Sequence, residues 1–178
     1  SQEYKGVYPP PFGPSTTLNY ISGDEKEKAI NELTSFHLSR LVTFSEDEEV
    51  WRRIDWIAFE TIPLLTEYIA VRRAMGGLIK MQRGKKFWIS SAWPNGSHPQ
   101  LDSTGQHVSV GQVLQAAIGG DEVPATAVGL NCTNPSCIKA LAKDFTQELK
   151  GIRKEGSVTE DVSFVLYPDG GSVYDTVT

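Results

Sequence analysis

From Asp24 onward the apolar positions change period several times, and each change marks an element. Ala29, Ile30, Leu33, Phe36, His37 and Leu41 recur at three- and four-residue spacing. That is the stripe of an amphipathic helix, which runs to about Val42 with Ser22 and Asp24 available as caps. Ser45 followed by Glu48 predicts a capping box and a short second helical piece over residues 46–53. A mostly apolar run, Asp55-Trp56-Ile57-Ala58-Phe59-Glu60, then reads as a buried strand. Helical period returns over 64–81, strand character over 86–93, and a helix over 109–118 ends at Gly119-Gly120. A strand over 126–130, a helix over 136–150 and a strand over 162–167 complete the series. The stretch 1–23, rich in Pro, Gly, Tyr and Ser, contains Tyr8-Pro9-Pro10-Pro11-Phe12-Gly13-Pro14 and reads as loop.

Strands alternating with helices of this length are joined by right-handed crossovers and form a parallel sheet. Four strands with three crossovers fit an open doubly wound sheet or part of a (β/α)8 barrel. A full barrel typically takes ~250 residues, more than the 178 present. The predicted fold class is therefore α/β.

Composition narrows the function classes. The net charge is −5 and 39% of residues are hydrophobic, as in a globular chain that buries a core. No basic run exceeds Arg83-Gly84-Lys85-Lys86, which argues against a nucleic-acid partner. No apolar stretch approaches the roughly 20 residues of a membrane span, and Ser1-Gln2-Glu3-Tyr4-Lys5 is not the start of a signal peptide. Two cysteines in a chain of this size suggest a reducing compartment, the cytoplasm by default. A start without Met and an end on Tyr174-Asp175-Thr176-Val177-Thr178 read as cut ends.

In either parallel architecture the ligand sits beyond the carboxyl ends of the strands. Those ends read Phe59-Glu60-Thr61-Ile62-Pro63, Ser90-Ser91-Ala92-Trp93-Pro94-Asn95-Gly96, Gly129-Leu130-Asn131-Cys132-Thr133-Asn134-Pro135 and Tyr167-Pro168-Asp169-Gly170-Gly171. Turn chemistry alone accounts for Ser91, Asn95 and Asp169. Glu60 stands out, because a carboxylate closing an Ile-Ala-Phe run is costly without a partner. For Cys132 a disulfide, a metal ligand, a nucleophile and a plain buried thiol all stay open. Cys137 is expected to face the core from the first turn of its helix. There is no phosphate-cradling glycine motif. His37, His98 and His107 lack metal-ligand spacing, and His37 reads as helix surface. A nucleophilic Cys132–His98 pair has no support from spacing.

Taken together, the four rim segments resemble the homocysteine S-methyltransferase family. Its barrel carries a Phe-Glu-Thr-Ile-Pro segment, a Trp-Ile-Ser strand, a Gly-x-Asn-Cys turn and a Tyr-Pro-Asn/Asp-Gly turn followed by Tyr-Asp/Asn. Here these stand as FETIP (59–63), WISSA (88–92), GLNCTNP (129–135) and YPDGGSVYD (167–175), in order over about residues 50–178. The opening SQEYKGVY is similar to the family's Glu-Tyr-x-Gly segment, and YPDGG is similar to the form in fungal members.

The resemblance implies an incomplete (β/α)8 barrel, a single domain over 1–178 truncated at both ends and holding about strands 4–7. It implies methyl transfer from a sulfonium donor, S-adenosylmethionine or S-methylmethionine, to homocysteine, giving methionine. The family holds zinc with three Cys thiolates, and the metal keeps the homocysteine sulfur as a thiolate. By position Cys132 resembles the first zinc ligand, and Glu60 resembles the carboxylate that holds the homocysteine ammonium. Thr61 and Asn131 fall beside them as substrate-binding residues, and no residue is assigned a catalytic role. The family's other two ligands form an adjacent Cys-Cys pair downstream, which has no counterpart here, so zinc is expected in a complete parent protein and not in this chain. A degenerate relative that binds an amino acid or a partner without turnover is the alternative. An unrelated doubly wound enzyme with Cys132 as nucleophile is a third. If the resemblance holds, the 86–92 strand separates the ends carrying Glu60 and Cys132, about 10 Å apart at a strand spacing of ~4.8 Å.

Overall fold

The computed structural model describes residues 23–154 and 161–169. The Pro-rich loop expected over 1–23, apart from Gly23, and the Gly-Gly turn with its Tyr-Asp lie outside the described residues. The elements run α1 (Gly23–Ser45), α2 (Glu48–Arg53), β1 (Trp56–Phe59), α3 (Leu65–Lys80) and β2 (Lys86–Ser91). A 3-10 turn (Pro94–Gly96) follows, then α4 (Val110–Ile118), β3 (Ala127–Asn131), α5 (Pro135–Lys154) and β4 (Ser163–Tyr167).

The four strands form one sheet in the order β1-β2-β3-β4, and every neighbouring pair is parallel. A doubly wound sheet reverses strand order at a switch point. Here the order never reverses, and α3, α4 and α5 touch one another in sequence. The sheet is thus an open arc of a (β/α) barrel, with β1 and β4 as its edges among the described residues.

Register explains why one face is greasy. Phe59 aligns with Ile89, Ile89 with Val128, and Ser91 with Leu130. Phe59, Phe87, Ile89, Val128 and Leu130 all join the core that also holds Tyr68, Met75, Leu114 and Phe145. Each such side chain contributes roughly 1.5–3 kcal/mol by leaving water. The alternate positions face the other way: Trp56 and Ala58, Trp88 and Ser90, Gly129 and Asn131, Val165 and Tyr167. At Gly129 a Cβ would lie 2.1 Å from the Val165 carbonyl oxygen, so no larger residue fits where β3 meets β4.

Two local readings need correction. The N-cap of α2 is Asp47, whose carboxylate accepts from the amides of Glu49 and Val50, both at 3.0 Å. Ser45 instead ends α1, its hydroxyl donating to the Val42 carbonyl. A carboxylate two residues nearer the helix is the better cap because it also meets the positive end of the helix dipole. His37 is buried rather than on the surface, with Nε2 3.0 Å from Oε1 of the still more deeply buried Glu67 and the rings of Phe36 and Phe59 edge-on to it. The helical stripe had two buried sides to serve, the core and α3.

Candidate functional site at the carboxyl rim of the sheet

Four strand ends converge at the rim, and hydrogen bonds across the sheet tie them together. Asn131, 1% exposed at the end of β3, reaches over β2 to the end of β1. Its Oδ1 accepts from the Thr61 amide at 3.1 Å and its Nδ2 donates to Thr61 Oγ1 at 2.6 Å. The amide of Ile62 donates to the Ser90 carbonyl, which ties the same turn to β2. Thr61 is held at φ 60, a left-handed conformation that a β-branched residue adopts only when its surroundings enforce it.

Cys132 follows Asn131 at φ 47, so the chain leaves β3 abruptly and the thiol is exposed. Its amide donates to the Tyr167 carbonyl, and the Asp169 amide to the Thr133 carbonyl, so the turn is seated on β4. Thr133 Oγ1 donates to the Asn131 carbonyl and accepts from the Trp93 amide, closing the turn against the end of β2. Cys137 packs against the core as expected, its thiol near Gly96 of the 3-10 turn.

On the concave side Tyr167 extends from β4 to β2. Its phenol oxygen is 2.5 Å from Ser90 Oγ and accepts from Trp88 Nε1 at 3.1 Å. The Glu60 carboxylate lies near this hydroxyl. Burial, first of all, and the nearby Glu60 charge push the phenol above its ordinary pKa, so it keeps its proton at neutral pH.

Glu60, Thr61, Asn131 and Cys132 therefore stand at the ends of two strands separated by β2, the order the sequence predicted. Trp88, Ser90 and Tyr167 join them, although sequence reasoning treated them only as parts of motifs. The available signal was register: residues two apart on neighbouring strands share a face, and Trp88, Ser90 and Tyr167 fall on the side opposite Ile89. His98 does not join: it is fully buried, edge-on to Trp93 at 5.2 Å. A cavity of about 610 Å³ lies along the free edge of β1, lined by Phe36, Phe44, Trp51 and the His37–Glu67 pair, and it meets the rim along Phe59, Glu60, Thr61 and Ile62.

The described residues offer no group of three His, Cys, Asp or Glu suited to a metal ion. Cys132 and Cys137 are the only thiols in the chain, and the second is packed against the core. A tetrahedral zinc site takes three or four protein ligands. The described donor set does not fit zinc.

A one-faced parallel α/β arc with its polar residues gathered at the carboxyl rim is the scaffold of a barrel enzyme. The sequence model described as "Homocysteine S-methyltransferase" matches residues 11–178, and the chain belongs to that family. Family membership makes methyl transfer to homocysteine its general activity class. Neither a curated protein nor a solved structure matches the chain. No described helix is long and apolar enough to cross a membrane.

Proposed function

We propose that this chain carries the homocysteine-facing part of a methyltransferase site, with Glu60 as the seat of the ammonium and Cys132 beside the sulfur. The observation that carries the reading is the Asn131–Thr61 bridge, a partly buried pair of hydrogen bonds joining the two strand ends that bear these residues. An ionised carboxylate at the rim attracts a cation, and the exposed thiol lies across β2 from it. Thr61 and Asn131 act in this reading by holding the two strand ends in place. A sulfonium compound, S-adenosylmethionine or S-methylmethionine, is the donor. The homocysteine sulfur, after losing its proton, attacks the methyl carbon as the carbon–sulfur bond of the sulfonium breaks. Methionine and a neutral thioether result. In-line attack lets two sulfurs share the methyl group in the transition state, so holding both reactants in line is the main task of such a site. Zinc belongs to the family chemistry by resemblance, and no step here is drawn through it. Small molecules are the partners in this reading, with no nucleic acid or membrane, in a reducing compartment such as the cytoplasm.

Calorimetric titration of the chain with L-homocysteine tests the proposal. Glu60→Gln should weaken binding about ten-fold, the loss of one charge-assisted hydrogen bond. Equal affinity in wild type and variant would overturn it. The second reading, an amino-acid binder without turnover, is favoured by the single rim thiol among the described residues. Methyl transfer from either sulfonium donor by the chain itself would exclude it.

A further inference from the structure

The turn that carries Cys132, Asn131-Cys132-Thr133, is tied to the ends of all the other strands of the sheet. The Asn131 side chain holds the end of β1 through Thr61. The backbone holds the end of β4: the Cys132 amide donates to the Tyr167 carbonyl at 3.3 Å, and the Thr133 carbonyl accepts from the Asp169 amide at 3.2 Å. The Thr133 hydroxyl holds the end of β2, where it accepts from the Trp93 amide at 3.0 Å. Both flanking side chains are anchors, 1% and 0% exposed, and the thiol between them is the one left exposed.

Thr133 does more than join two strand ends. Its hydroxyl has one proton and two lone pairs to place. The Trp93 amide fills one lone pair, and the proton goes to the Asn131 carbonyl at 2.9 Å. That second bond runs from the residue after Cys132 to the carbonyl before it, so it closes a small ring with both backbone torsions of Cys132 inside. Cys132 stands at φ 47, in the left-handed region that a residue with a Cβ rarely takes unaided. The ring holds it there, and the direction of its Cα–Cβ bond follows from those torsions. Thr133 Oγ1 therefore decides where the thiol points.

We infer that Thr133 is the positioning residue for Cys132, turning that thiol toward the place where the substrate's sulfur sits. The inference rests on the proposed place of Cys132 beside the sulfur and adds what keeps it there. In that reading Glu60 takes the amino end of the ligand at the end of β1. Thr133 aligns the sulfur end from the turn after β3, braced against the end of β2. The two tasks use different residues, so binding strength and sulfur placement come apart on substitution.

The experiment reads the thiol directly, in the 178-residue chain with Cys137→Ala, so that Cys132 is its single thiol. Iodoacetamide alkylates that thiol: the sulfur bonds to the reagent's methylene carbon and iodide leaves. L-Methionine, the thiol-free product, at about ten times its dissociation constant should slow the alkylation about ten-fold, because only the unoccupied fraction reacts. Adding Thr133→Val should leave the affinity for L-methionine, measured by calorimetric titration, within about two-fold, and should reduce the protection to less than about two-fold. Thr133→Ser, which keeps the hydroxyl, should restore it. Thr133→Ala, which removes the hydroxyl without forcing a methyl group against the Trp93 amide and the Asn131 carbonyl, should lose it too and replaces the valine variant if that one does not fold. Protection kept without the hydroxyl, protection and affinity lost together, or no rescue by serine would overturn the inference while leaving the roles of Glu60 and Cys132 intact. L-Methionine that binds the Cys137→Ala chain without shielding Cys132, or that does not bind it, would remove the proposed place of Cys132 and the inference with it.

Discussion

His98 carries a proton on Nε2 that no acceptor among the described residues meets, since its Nδ1 accepts from the Gln100 amide at 3.2 Å. The ring stands edge-on to Trp93, with Phe145 behind it. Burial, helped by the charge of His107, lowers its pKa from 6.5 to about 4. The unfolded chain therefore binds a proton that the folded chain refuses between those two values. Stability from the neutral ring is complete above about pH 6.5 and is lost as pH falls towards 4. The loss amounts to about 3 kcal/mol at most. Thermal unfolding at pH 7 and pH 5 should show a lower midpoint in acid. His98→Asn, whose Oδ1 takes the place of Nδ1 as acceptor for Gln100, should flatten that dependence. An unchanged slope in the variant would mean that other groups cause it. No local pattern around His98 signals this burial. A histidine between Ser97 and Pro99 looks like a turn residue until Trp93 folds over it.

Arg72 acts on whole elements. From α3 its guanidinium, 1% exposed, donates to three backbone carbonyls, Val123 at 2.9 Å, Ala116 at 2.8 Å and Glu122 at 2.6 Å. It thus holds the last turn of α4 and the link into β3, satisfying carbonyls that a helix end leaves without partners. Burial lowers its pKa to about 10, which still leaves it charged at neutral pH. Arg72→Met, which keeps the apolar stem, strands those carbonyls and should cost about 3–5 kcal/mol. Arg72→Lys should recover only part of that, because one ammonium cannot span the planar fork. Urea unfolding midpoints decide it: a shift near zero for the Met variant would show that water serves these carbonyls equally well. Hydrophobic period located α3 and α4 within a residue or two, because a stripe of buried positions is a local signal. It was silent about Arg72, which sits in that stripe as a charge and reads as an interruption of it.

For the whole molecule the zinc question is decided by which donors the fold brings together. Purified from medium containing zinc, the chain should carry well under one zinc per molecule by metal analysis, and Cys132→Ser should change nothing. One tight zinc per chain, lost in that variant, would show that the rim recruits ligands beyond the described residues. The expectation follows from a rim that presents one thiol, with Cys137 packed against the core instead.

The sequence by itself determined the elements, their parallel pairing and the side of the sheet on which chemistry gathers. These follow from period and from turn residues, which are set by neighbours a few positions away. Four short segments in order also carried the family, and with it Glu60 and Cys132 as candidates. Only the tertiary structure decided which polar groups cooperate. Asn131 meets Thr61 across 70 positions of chain, and Tyr167 meets Ser90 across 77. Such contacts depend on strand register and on the curvature of the arc, which arise from how helices of a given bulk pack against one face of the sheet. No local pattern encodes that distance, so a buried histidine, a clamped loop and a tyrosine reaching over a glycine appear only once the chain has folded.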